Sequence, residues 1–277
     1  MRHHAERLAL AIFAIYLALI PGSSVVVALD IVPRWGLGFG SVLLLLQGAA
    51  MFAWLLWRYG WRGGITALVI AALGFLVEYV GATSGLPFGR YSYTDLVQPQ
   101  ILGVVPIAIC AAWMMTAVAA YEIARQLVFR RWGFNAALLL AATLVLVQDL
   151  QIETVAALVN HYWTWTDSGF YYGVPTANFV AWWLVGLAMT WITWQLLGKH
   201  HVDRATPHAT GDSLFITVLN YMPHMLYLLS STMFMVINLA RGYLLAGLIG
   251  VTVLLIAGAI TGYGAILPRQ IARRRFD

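Results

Sequence analysis

Charge is scarce in this chain: sixteen basic and eleven acidic residues among 277 make 10% charged, against 61% hydrophobic. With a mean hydropathy of +0.80, that shortage excludes a soluble globular protein of this length and indicates a polytopic membrane protein. Cysteine is nearly absent too. The single Cys110 rules out an internal disulfide and any cysteine-rich metal or redox centre, and its apolar surroundings suit a packed thiol. Neither a His-Glu-x-x-His motif nor paired cysteines occur, so no metal and no other cofactor is expected. The isoelectric point near 9.5 does not point to nucleic acid, because the basic residues are spread over short connections instead of forming one patch. No stretch is long and polar enough to form a soluble domain, so residues 1–277 read as a single integral membrane domain with a motif-bearing core at about 64–197.

What is abundant is apolar runs of spanning length, at roughly 8–29, 37–57, 64–83, 101–121, 135–157, 175–197, 213–238 and 243–267. The expected fold class is therefore all-α, a bundle of about eight transmembrane helices. Placing the N-terminus in the cytoplasm puts thirteen basic residues inside (Arg2, Arg7, Arg58, Arg62, Arg125, Arg130, Arg131, Lys199, Arg204, Arg269, Arg273, Arg274, Arg275) and leaves three outside, Arg34, Arg90 and Arg241. This asymmetry predicts a multi-pass protein of the cell membrane with both termini cytoplasmic. The first run follows a basic start but lacks a small-residue cleavage site, and it is read as a retained helix.

Three acidic residues, Glu78, Asp149 and Glu153, fall within these runs, whereas the basic residues lie outside them. A charged group at mid-bilayer costs about 2.5–3.5 kcal/mol on insertion scales, so an intramembrane carboxyl is usually retained for use. A rise of roughly 1.5 Å per residue puts Glu78 about 8 Å, Asp149 about 12 Å and Glu153 about 6 Å below the outer boundary. All three share one leaflet. Asp149 and Glu153 are also spaced i, i+4, so they project from one helical face and could share a proton. Each taken alone is equally well read as a structural carboxyl bonded to a neighbouring helix. Among the histidines, His3, His4, His200, His201 and His208 fall in tails or loops as solvated residues. His224, one turn after Asn220, suits an interhelical hydrogen bond, and His161, near Glu153, is a candidate for the site.

Two outer connections are rich in aromatic residues, glycine and proline: Ser84 to Asp95, and Tyr162 to Pro175 followed by Asn178. Part of this enrichment is interfacial anchoring. The glycines and prolines add defined turns, and non-helical backbone at membrane depth is tolerated only inside protein or around a cavity, which predicts a roofed pocket. The segments also resemble each other. Each has an acidic helix end, a Ser-Gly turn (Ser84-Gly85, Ser168-Gly169), then Gly-Val and a proline (Gly103 to Pro106, Gly173 to Pro175), then Ala-Trp ending seven residues after that proline. An internal duplication in which helices three and four recur as five and six in parallel orientation would explain this; chance similarity of two interfacial loops is the alternative.

Glu78, Gly85-x-Pro87-Phe88-Gly89-x-Tyr91-x-Tyr93, Gly103-Val-x-Pro106, Asp149-x-x-x-Glu153, Trp163-x-Trp165, Tyr172-Gly-Val-Pro175 and Asn178, in that order, resemble the CruF-type carotenoid hydratases over about residues 74–183. One departure is that the family pattern has Asp-Pro where this chain has Glu153-Thr154, which puts substrate preference in question. The resemblance implies a cofactor-independent hydro-lyase that adds water across the terminal C1–C2 double bond of an acyclic carotenoid, lycopene-like or bacterioruberin-precursor-like. The substrate would be a hydrophobic polyene drawn from the lipid phase. Surrounding lipids and other carotenoid-pathway enzymes are the expected partners, with no nucleic acid. The chemistry needs a protonated carboxylic acid, stabilisation of a tertiary carbocation and a positioned water. Burial and a second nearby carboxyl both favour the protonated form. Glu78, Asp149 and Glu153 are the catalytic candidates, with acid and base roles interchangeable among them. Phe88, Arg90, Tyr91, Tyr93, Asp95, His161, Trp163, Trp165, Tyr172 and Asn178 are the candidates for substrate binding, and Trp163, Trp165, Tyr91 or Tyr172 for facing the cation. The alternatives are a proton-coupled transporter, which uses intramembrane carboxyls as well, and a membrane terpenoid or carotenoid cyclase, which uses the same acid and cation chemistry.

Overall fold

The computed structural model describes residues 2–198 and 214–273, with side chains up to residue 261. Lys199, His200, His201, Arg204, His208, Arg274 and Arg275, assigned above to tails and loops, lie outside the described residues. Eight helices follow one another: α1 (Arg2–Ala28), α2 (Phe39–Tyr59), α3 (Trp61–Ser84), α4 (Ile107–Ala124), α5 (Arg130–Glu153), α6 (Thr176–Leu197), α7 (Leu214–Ala240) and α8 (Leu244–Arg273). Seven helical segments among the described residues are long and apolar enough to cross a membrane, as expected of a multi-pass membrane protein. One of the seven, Ile107–Val159, is too long for a single crossing at 53 residues. It comprises α4, a π-helical turn at Arg125–Phe129, α5 and a second π-helical turn at Thr154–Val159. It breaks at Gly133, whose φ of 79° and ψ of −171° lie outside the helical region and suit only glycine. The two arms fold back and pack on each other.

The connections sort to two ends. At one end Asp30, after α1, pairs with Arg241, after α7, at 2.9 Å, and the Gly40 amide at the start of α2 donates to the Tyr162 hydroxyl at 3.2 Å. At the other end Tyr59 donates to Glu122 at 2.5 Å, Arg125 binds Glu122 at 2.6 Å, and the Trp54 indole reaches the Leu219 carbonyl at 2.7 Å. Arg34 and Arg90 accordingly share an end with Arg241, while Arg58, Arg125, Arg130 and Arg131 cluster opposite them. Glu122, outside the apolar runs read from the sequence, is a further buried acid, paired with Arg125. The helix runs on past residue 121, so Glu122 is buried at 1% exposure and retained by a cation one turn later. For His224, Nδ1 is buried without a partner among the described residues, and the ring packs edge-on against Tyr221.

The purely α-helical expectation also needs one amendment. Strand β1 (Tyr91–Tyr93) pairs antiparallel with β4 (Trp163–Trp165), and β2 (Gln100–Ile101) with β3 (Val105–Pro106). Strands of two or three residues are too short for hydrophobic alternation to announce them by itself, although Tyr91-Ser92-Tyr93 and Trp163-Thr164-Trp165 do alternate; the turn chemistry is the longer signal. Leu102-Gly103 and Tyr172-Gly173 are each consecutive positive-φ pairs, closed by Val104 N–H to Ile101 at 3.1 Å and Val174 N–H to Tyr171 at 2.9 Å. That is the geometry of a tight hairpin turn. Each turn then delivers a proline, Pro106 or Pro175, to the N-cap of a helix.

Small residues allow close helix approach where no water drives association. Gly48 of α2 faces Ala111 of α4, and a Cβ built on it would lie 2.6 Å from the Ala111 Cβ. Gly48→Leu should therefore wedge α2 from α4 and cost about 1–3 kcal/mol, read as a lower Tm of the detergent-solubilised protein; an unchanged Tm would contradict this packing.

Candidate active site

The two glutamates each accept three hydrogen bonds, from donors that chain segments on other elements bring in. Glu78, near the end of α3 and 4% exposed, receives the hydroxyls of Tyr91 and Tyr93 on Oε2, both at 2.6 Å, and the Trp113 indole N–H on Oε1 at 2.7 Å. Glu153, the last residue of α5 and 2% exposed, receives the indoles of Trp163 and Trp165 on Oε2 at 3.1 and 3.0 Å, and Asn178 Nδ2 on Oε1 at 3.1 Å. The donors reach the carboxyls because β1 and β4 lie side by side in the register Tyr91↔Trp165, Ser92↔Thr164, Tyr93↔Trp163. Alternation along a strand turns the two outer residues of each one way and the central residue the other. Ser92 and Thr164 are exposed and meet each other at 3.2 Å, while the four aromatic residues point down to the carboxyls.

Asp149 occupies a different layer. It is fully buried, and Asn178 Nδ2 donates to its Oδ2 at 3.0 Å while also serving Glu153. One amide therefore bridges the two carboxyls whose i, i+4 spacing put them on one face. The other oxygen of Asp149, Oδ1, has no partner among the described residues. Beyond Asp149, α5 continues as a polar edge: Gln148 accepts from Ser231 at 2.9 Å, and Thr154 donates to Asn238 at 2.5 Å. The Thr154–Asn238 contact ties the second π-helical turn to α7.

A cavity of about 500 Å³ opens against this network, within the usual range for small-molecule sites. Both Glu78 and Glu153 line it, and Asp149 does not. Most of its wall is apolar, from Leu19, Val26, Leu43, Ile152, Val155 and Phe234 among others. The aromatic part is built from ring pairs: Tyr91 on Trp165 at 5.0 Å, Tyr93 on Trp163 at 5.9 Å, Phe88 on Tyr91 at 6.2 Å, and Trp113 stacked on Trp182 at 3.9 Å with 19° between the planes. Among the described residues no Lys, Arg or His lines the cavity.

Of the sequence-derived candidates, Glu78, Glu153, Phe88, Tyr91, Tyr93, Trp163, Trp165 and Asn178 come together at this cavity, and Asp149 stands behind them. Arg90, Asp95, His161 and Tyr172 do not line it. Asp95 and His161 are exposed. Tyr172 turns toward α8, accepting from the Leu245 amide at 3.0 Å and packing on Tyr243 at 5.3 Å, which takes its ring away from the cavity. Arg90 is a strap over the roof: its guanidinium and its amide both bind Asp167, at 2.8 Å each. Those bonds hold the Asp167 carboxyl below its ordinary range and raise Arg90. A depressed carboxyl loses its contribution only as pH falls through the depressed value, so the strap stays ionised at neutral pH. Trp113, Tyr162 and Trp182, which line the cavity, were not among the candidates, although the Ala-Trp repeat contained both Trp113 and Trp182.

The comparisons with known proteins bear on the same residues. A profile described as "Carotenoid biosynthesis protein" matches residues 39–257. The chain belongs to that family. A bisanhydrobacterioruberin hydratase of Haloarcula japonica is 29% identical over 127 residues, covering 45% of this chain and 42% of that protein, so the likeness spans less than half of either. No solved structure matches.

Gly81 tests the geometry, because a Cβ there would lie 2.6 Å from the Phe88 ring and 2.8 Å from the Tyr91 hydroxyl. Gly81→Ala should push Tyr91 off Glu78, and Trp113→Phe should strip Oε1 of its donor. A hydrogen bond to a charged group is worth about 1.5–3 kcal/mol, so each should lower the Tm in detergent and reduce turnover; wild-type values for both would refute the network.

Proposed function

We propose that this protein is a carotenoid hydratase, adding water to the terminal carbon–carbon double bond of an acyclic carotenoid. The observation that carries the reading is the pair of glutamates set in one apolar, aromatic-lined cavity among helices long and apolar enough to cross a membrane. A polyene end group can enter such a space from lipid, and it finds there a proton source and a proton acceptor. Membership of a carotenoid biosynthesis family and the distant hydratase relative support the same reading.

The mechanism assigns Glu153 as the acid. An indole N–H can only donate, so Glu153 Oε2, facing two of them, is an acceptor oxygen and the exchangeable proton belongs on Oε1. There Asn178 connects it to Asp149, and turning the amide over presents its carbonyl oxygen to a protonated carboxyl on either side. Asn178 thus couples the protonation of Asp149 and Glu153 by hydrogen bonding to both, and the proton that the attacking water releases re-protonates Glu153 at the close of the cycle. The proton passes to the less substituted alkene carbon and leaves a tertiary cation. The faces of the surrounding rings stabilise the cation, by about 2 kcal/mol or more in a desolvated site. Glu78, held by Tyr91, Tyr93 and Trp113, takes the proton of the water that closes on the cation.

The antiparallel register of β1 and β4 about the Ser92–Thr164 pair and the stacking of Trp113 on Trp182 fit an internal duplication with a local two-fold axis, but the Ser-Gly turns do not correspond, since one precedes β1 and the other follows β4.

In a host making acyclic carotenoids, expression should yield pigments heavier by one water, with the oxygen drawn from labelled water. Label arriving from molecular oxygen would make the protein an oxygenase, and a product of unchanged mass would make it a cyclase. Glu78→Gln and Glu153→Gln should each lower product by about 10²–10⁴-fold, the usual contribution of general acid–base catalysis; full activity in both would sink the mechanism.

A further inference from the structure

Gln47 is a buried polar residue with half of its amide unused. It sits on α2, lines the same cavity as Glu78 and Glu153, and is 1% exposed. Its Nε2 donates to the Tyr16 hydroxyl at 2.7 Å, which fixes the amide plane, whereas Oε1 has no partner among the described residues. Its neighbour Gly48 backs onto Ala111, two residues before Trp113, so Gln47 lies at the depth of the indole that serves Glu78. Burying an amide oxygen without a donor carries a desolvation cost, and a leucine would fill an apolar wall without it. An acceptor retained there calls for a ligand that brings an O–H.

We propose that Gln47 positions the water consumed in the reaction. This rests on the hydratase reading and deepens it by naming the water subsite. Oε1 accepts one O–H of the water and aims an oxygen lone pair at the tertiary cation. The acid proton has by then formed the new C–H bond at the neighbouring carbon. The water oxygen forms the C–O bond, and the oxonium proton leaves to a carboxylate. The sum is one water gained with nothing oxidised or reduced. Gln47 exchanges no proton; it decides whether the cation is captured before it collapses back to an alkene.

That division can be read in heavy water. A cation that loses a proton instead of being captured returns carotenoid carrying deuterium at its end group, so membranes holding the full-length protein report protonation and capture separately. With Gln47→Leu, alcohol formation should fall about tenfold or more, while deuterium still enters recovered carotenoid, so the ratio of exchange to hydration rises. Gln47→Glu, which keeps an acceptor oxygen, should restore part of the alcohol, and Tyr16→Phe, which loosens the amide, should shift the ratio in the same sense as Gln47→Leu. Gln47→Met, matched in volume, carries the same test where the leucine variant does not fold. An unchanged ratio, or parallel loss of exchange and alcohol in a folded variant, overturns the proposal while wild-type hydration stands. Absence of alcohol from the wild type overturns the hydratase reading itself, and this inference with it.

Discussion

A carboxylate inside a membrane bundle must be given hydrogen-bond donors by the protein, since lipid offers none. Glu78 and Glu153 each take three, and the end of the molecule that carries β1 and β4 is arranged to supply them. Helices alone could not do so. A donor arriving from above needs backbone that leaves the helix, turns over the carboxyl and returns. The segments after α3 and after the second π-helical turn do this as paired three-residue strands, whose own backbone groups are satisfied by each other. The strands then need anchoring: the Arg90–Asp167 strap fastens their outer face, and Tyr162 ties β4 to the start of α2. The roof, the turns and the helix starts after Pro106 and Pro175 follow from the need to satisfy two buried acids.

Much of this was legible in the sequence because hydropathy and charge act over whole helices. Spans of about 20 residues, the three acids and the Gly/Pro/aromatic loops are signals that physical chemistry forces onto composition. The departures occurred where a single contact decides. Asp149 and Glu153 share a face by spacing, but spacing says nothing about Asn178 inserting between them from α6. Tyr172 stands in a turn of the same kind as Leu102, and at a positive-φ position its side chain is set by the turn and leaves the cavity. Glu122 lies just past the end of an apolar run, and its burial and its pairing with Arg125 depend on the helix carrying on through a π-helical turn, which hydropathy does not report. Gln47 is one amide in a run of leucine, glycine and alanine, and its buried, unpaired oxygen and its place in the cavity wall are visible only in the structure.

The replacement at residues 153–154, where related sequences are expected to carry Asp-Pro, also has a local physical reading. A proline at 154 would interrupt helical hydrogen bonding after the acid, because it lacks an N–H. Here Thr154 opens a π-helical turn at the same place, and its hydroxyl binds Gln151 and Asn238. π-Turns within helices recur at functional sites because they reorient side chains without ending the helix. The longer glutamate side chain then reaches the two indoles of β4 from a backbone held by α7.

The two carboxylate centres are alike in their donors and unlike behind them. Four residues before Glu78 stands Gly74, where a Cβ would lie 2.8 Å from that of Trp113, so an indole fills the space. Four residues before Glu153 stands Asp149. Four before Trp113 is the apolar Ile109, and four before the stacked Trp182 is Asn178. Glu78 is therefore backed by hydrocarbon and indole, with only tyrosine hydroxyls beside it, while Glu153 is backed by an amide and a second carboxyl. Glu153 thus shares a hydrogen-bonding amide with a second carboxyl, and Glu78 does not. In the proposed reaction that asymmetry gives two similar acids opposite duties, and it resides in Asp149 and Asn178, neither of which has a polar counterpart on the other side.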